Sequence, residues 1–243
     1  MRDVWTVMWR EWRELAAWDG GWITVLSLGA FAGLIGVLLP WQVGPGWVQA
    51  PWVLLFWIWM PLFLVTTVAA DTFAGERERH TLETLLATRL PDRAILVGKV
   101  GAAVLWVWGA TVACLPIGLV TLNLTHEGPG WLLYDPAVAA CIVAATLLAA
   151  LLGAALGVLV SLRVASVRQA QQILAVTVIA LFLLPVLAVK ALPFGWSGRL
   201  LEILVFGEAG AVALGAVVVL SILDGLFLAL AGLRFGRRHL LLG

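Results

Sequence analysis

Few residues able to attack, move a proton or hold a metal stand where they could act together. A serine nucleophile needs a base beside it. Ser27, Ser161 and Ser221 lie in apolar runs, whereas His80, His126 and His239 all lie outside them. The H-E-x-x-H pattern of a zinc hydrolase is absent, and Cys114 and Cys141 sit in apolar runs without metal-type spacing. A phosphate-binding loop fails as well. Gly98-Lys99 is the one Gly-Lys pair, Arg93 stands five residues before Gly98, and Val100 occupies the place where Ser or Thr would hold the metal. No catalytic, metal-binding or nucleotide-hydrolysing centre is expected in this chain. Two features remain: the acid Asp224 inside the last apolar run, and the polar island 71–99, DTFAGERERHTLETLLATRLPDRAILVGK.

The elements that must position them are dictated by composition. The 243 residues are 63 % hydrophobic and 12 % charged, with a mean hydropathy of +1.04. Soluble domains carry about 25 % charged residues, so the solvent for most of this chain is lipid. The N-terminus carries acidic residues and lacks an apolar stretch followed by a small-residue cleavage site. It is therefore expected to stay in the mature protein.

An all-α integral membrane protein follows, read as a single transmembrane domain over 1–243. Six spans are predicted near 22–40, 52–70, 100–122, 137–162, 173–189 and 209–233, each near the length a helix needs to cross a bilayer. Residues 2–18 read as an amphipathic helix lying in the interface. Trp5, Met8, Trp9, Trp12 and Ala16 fall on one face, and Arg2, Asp3, Arg10, Arg13 and Glu14 on the rest. With six spans, thirteen of the fifteen basic residues fall on the side of the termini and the island, and only Lys190 and Arg199 on the other. By the positive-inside rule both termini and the island are cytoplasmic.

The first two outer connections are Gly/Pro turns with interfacial aromatics, and the glycosylation pattern at Asn123 is read as chance. The outer segment 190–208 is too apolar for an ordinary loop and too interrupted for a crossing, so either a dip back into the outer leaflet or a surface loop fits it. Gly29 and Gly33, and Gly153 and Gly157, are spaced for close helix packing.

Within the island, Thr81 can cap a short helix with Glu83 in its first turn. Leu82, Leu85 and Leu86 share a face, Arg79 and Glu83 are four apart, and Pro91 ends the helix. Lys99 is expected to snorkel at the membrane boundary. Such a helix either rests on headgroups or inserts into a groove of a soluble partner.

Here the sequence resembles the permeases of type-two ATP-binding-cassette exporters. In that family acidic residues precede a Thr-Leu-Glu step, a Leu-Leu pair, a Pro and a Gly-Lys leading into the third span. Glu76 and Glu78, Thr81-Leu82-Glu83, Leu85-Leu86, Pro91 and Gly98-Lys99 match, while His80 stands where the family often has Gly. The resemblance implies a permease subunit in a bacterial inner membrane, paired with a second permease, identical or related, above two cytoplasmic ATPase subunits. ATP and Mg would bind those partners and no cofactor this chain. The island would be the coupling helix, with Glu76, Glu78, Arg79, Thr81, Leu82, Glu83, Leu85 and Leu86 as its docking surface.

An ion-coupled carrier or channel is the alternative. It would draw on ionisable groups within the membrane, of which Asp224 is the clear candidate, either in a substrate path or in packing. Lipid is an expected partner and nucleic acid is not. Trp57, Trp59, Trp106 and Trp108 would suit a hydrophobic or amphipathic cargo, or serve packing and lipid contact.

Overall fold

The computed structural model describes residues 2–16, 29–70, 75, 91–126, 128, 130–161, 163–164, 166–191, 198, 202 and 207–234. Its elements are all helical among the described residues. They are α1 Arg2–Ala16, α2 Gly29–Val43, α3 Gly46–Gln49, α4 Val53–Ala70, α5 Asp92–Thr125, α6 Pro136–Ser161, α7 Val167–Ala191 and α8 Ala209–Arg234. Five of them, α4 to α8, are long and apolar enough to cross a membrane. The helix α2 is shorter, and the start of the first predicted span lies outside the described residues.

Hydropathy placed the spans within a few residues, with two differences. α5 begins at Asp92, eight residues before the predicted span, and α7 at Val167, six residues before it. In both cases charged residues occupy the helix start, so hydropathy fell while the backbone ladder continued. Of the outer segment 190–208, α7 takes the first two residues, and the predicted dip falls almost wholly outside the described residues.

α6 is the hub. Two thirds of its membrane window, 67 %, is buried, against 17 % for α7 and for α8. It packs on α4, α5, α7 and α8. Gly153 and Gly157 seat it on α4. A Cβ at Gly153 would collide with Val65 and lie 2.9 Å from the Leu62 carbonyl, and one at Gly157 would lie 2.5 Å from Ala69 Cβ. Lipid gives no hydrophobic drive between helices, so this close approach is what holds the pair. A Cβ at Gly29 or Gly33 would meet nothing within 4 Å, and Gly36 makes the close approach instead, where a Cβ would lie 2.7 Å from Ile117 Cγ2. Gly36 lies in a π-turn, Leu34–Leu38, where the backbone ladder widens. Thr121 Oγ1 donates to its carbonyl at 2.9 Å.

At the N-terminus of α6, Asp135 Oδ1 accepts from the Ala137 and Val138 amides and caps the helix. The Asn123 side chain bonds both the carbonyl and the amide of Leu132, so it closes the α5–α6 connection. Trp47 and Trp57 are buried, and the half-buried Tyr134 packs against them. Burial pushes the Tyr134 phenol well above its ordinary range, and the two indoles beside it act the other way.

Gly153→Leu or Gly157→Leu should destabilise the purified protein by about 1–3 kcal/mol, the usual range for overpacking. Gly29→Leu should leave it unchanged. Thermal unfolding in detergent reads the difference.

Candidate functional site

The eight residues expected to dock a partner, Glu76, Glu78, Arg79, Thr81, Leu82, Glu83, Leu85 and Leu86, lie outside the described residues. What is described is the element that receives the island. α5 starts at Asp92, directly after Pro91 in extended backbone, and its first turns carry α1.

Two glycines make that seat. A Cβ at Gly98 would lie 2.7 Å from Val7 Cβ and 3.1 Å from the Val4 carbonyl, and one at Gly101 would lie 3.3 Å from Met8 Sδ. Beside them Lys99 is only 1 % exposed, and its Nζ donates to Glu11 Oε1 at 2.8 Å. Glu11 is 7 % exposed. Lys99 therefore does not snorkel to the surface. A partner brought in by α1 satisfies the ammonium where it lies, so the side chain has no need to reach water.

The apolar face expected on α1 is also divided differently. Val7 and Glu11 are buried, whereas Trp5 and Trp9 are 59 % and 49 % exposed and stack on each other at 6.3 Å. The Arg13 guanidinium lies 5.4 Å over the Trp9 ring, and Arg10 pairs with Glu14 at 2.8 Å. Trp12 turns inward and meets Trp106 edge-on at 5.9 Å. Glu11 was missed by sequence reasoning. The signal that could have found it was the small pair Gly98 and Gly101 beside a lysine at a helix start.

This arrangement can transmit motion. A buried ion pair fixes register more than it adds stability. Lys99 lies seven residues along α5 from Asp92, about 10 Å at 1.5 Å per residue. A displacement of the island's end thus reaches the Glu11 contact along one continuous helix.

Asp224 occupies the face of α8 on the packed side. It is 4 % exposed, and neither carboxylate oxygen has a hydrogen-bond partner among the described residues. α6, the helix on which α8 packs, contains no Asp, Glu, Lys or Arg. The structure does not bring Asp224 together with the α1–α5 seat.

The four tryptophans considered for cargo have packing partners. Trp57 is buried against Trp47, Trp108 donates to the Val143 carbonyl at 3.1 Å, Trp59 meets Phe63 and Phe182, and Trp106 meets Trp12.

Glu11→Ala or Lys99→Ala alone should cost about 3–5 kcal/mol, because each breaks a buried ion pair from one side. Glu11→Leu combined with Lys99→Met should recover most of that loss. A double-mutant cycle on thermal or denaturant unfolding measures it.

No curated protein matches the chain. Residues 55–198, more than half of its length, match the ABC-2 family transporter protein. The matched stretch includes all but the first two residues of α4, the island, α5 and α6 and ends past α7, so it holds Lys99 but neither Glu11 nor Asp224. A multi-pass chain of apolar helices with this match over the island belongs to the ABC-2 transporter family.

Proposed function

We propose that the chain is the permease subunit of an ATP-driven exporter. It pairs with a second permease and is moved by cytoplasmic ATPase subunits that dock on the island. The observation that carries this reading is the family match across 55–198, which contains the whole of 71–99. The basic residues support the orientation, with the island and both termini in the cytoplasm of a bacterial inner membrane. On this reading the energy comes from the ATPase subunits, and these 243 residues hold no phosphate-binding loop.

On this reading Leu85 and Leu86 enter a groove of the ATPase. Replacing both with Asp should leave the spans inserted, and should abolish co-purification of the ATPase and its stimulation by the permease. Unchanged stimulation would contradict the docking role.

The Asp224 carboxylate, without a hydrogen-bond partner among the described residues, is the observation that favours the second reading, ion-coupled transport. Asp224→Asn keeps an acceptor and removes the buried charge. The exporter reading predicts normal assembly and ATP-dependent transport in this variant. Transport lost with assembly intact, or transport persisting on an ion gradient without ATPase, would favour the carrier.

A further inference from the structure

We propose that a groove between the ends of α6, α7 and α8 binds an anionic phospholipid, its acyl chain along the apolar wall and its phosphate on Arg163. The groove encloses about 330 Å³ and is lined by Leu159, Val160, Arg163, Val164, Ile173 and Leu230. Arg163 is the one charged residue in that lining among the described residues. It is exposed and forms no ion pair among the described residues, while its backbone amide is held by the Val160 carbonyl at 2.9 Å. Arg168, five residues on, is likewise exposed and without an ion pair among the described residues.

Chemistry selects the occupant. Ile173 and Leu230 are exposed, and both lie on helices whose membrane windows are mostly unburied. The walls therefore face the zone where acyl chains lie. A soluble anion gains nothing from those walls, and in a zwitterionic lipid the headgroup's own ammonium offsets the phosphate that Arg163 would meet. A lipid with net negative charge uses both, as basic pockets between spans on the cytoplasmic side do. The chain's own segment after Arg234 is a poor occupant, because Arg237 and Arg238 would meet Arg163 with like charge.

The inference rests on the proposed orientation and not on the ATPase. Native mass spectrometry of the purified full-length chain in detergent tests it without a motor. Phosphatidylglycerol is compared with phosphatidylcholine of matched chains. The attraction of one basic residue to a net negative headgroup is worth on the order of fivefold in affinity, so phosphatidylglycerol adducts should form at about a fifth of the phosphatidylcholine concentration. Arg163→Gln should erase that preference and Arg163→Lys should keep most of it. Leu230→Trp from one wall, or Ile173→Trp from the other, should weaken both lipids. Equal binding of the two lipids by the native chain, an unchanged preference in Arg163→Gln, or displacement of the lipid by an equal concentration of inorganic phosphate would overturn the proposal. An ATPase that failed to co-purify would leave these adducts untouched and would instead count against the exporter reading.

Discussion

A lysine held in a nearly water-free seat by a glutamate from another helix constrains everything at the island's end of this molecule. Lys99 and Glu11 are 88 residues apart in sequence and 2.8 Å apart in space. Breaking such a buried pair by removing one partner is strongly destabilising. Their pairing requires α1 to lie on the first turns of α5, and that approach requires Gly98 and Gly101 to carry no side chain. The N-terminal helix is thereby joined to the helix that leads out of the polar island.

The rest of the bundle supplies a fixed frame for that junction. α6 is buried on most of its surface, and its glycines lock it to α4. α7 and α8 contribute one packed side each and leave the other open, where Leu214, Val218, Ile222 and Leu226 of α8 are exposed. Such faces suit lipid or a second membrane subunit. The frame also confines the polar groups. Thr66, Thr111, Thr146 and Ser161 each bond a carbonyl of their own helix, as buried hydroxyls in an apolar solvent must. Asp224 is the acid for which the described residues supply no such donor.

Much of this was legible in the sequence, for reasons visible in particular residues. Uninterrupted apolar runs gave the positions of α4, α6 and α8, because lipid leaves helices as the default spanning structure. Asp224 stood out as an acid inside such a run. The direction α1 would face was not legible. Its tryptophans and valines are all apolar, and in a membrane protein both lipid and protein accept apolar faces, so periodicity could not say that Trp5 and Trp9 turn outward while Val7 turns in. Nor did hydropathy reveal a buried ion pair, since Glu11 reads as one more polar residue of an amphipathic helix until Gly98 and Gly101 are set against Val7 and Met8. The early start of α5 was hidden by Asp92 and Arg93, whose charges lower hydropathy without interrupting the helix.

The central claim is that the island is the part on which an external motor acts, with α5 carrying its movement to α1. A photo-crosslinking residue placed at Leu86 of the native assembly in its membrane tests this most directly. The account predicts a crosslink to an ATP-binding-cassette ATPase on the cytoplasmic face. Crosslinks to phospholipid alone, or labelling of position 86 by a probe confined to the outside of the cell, would contradict it.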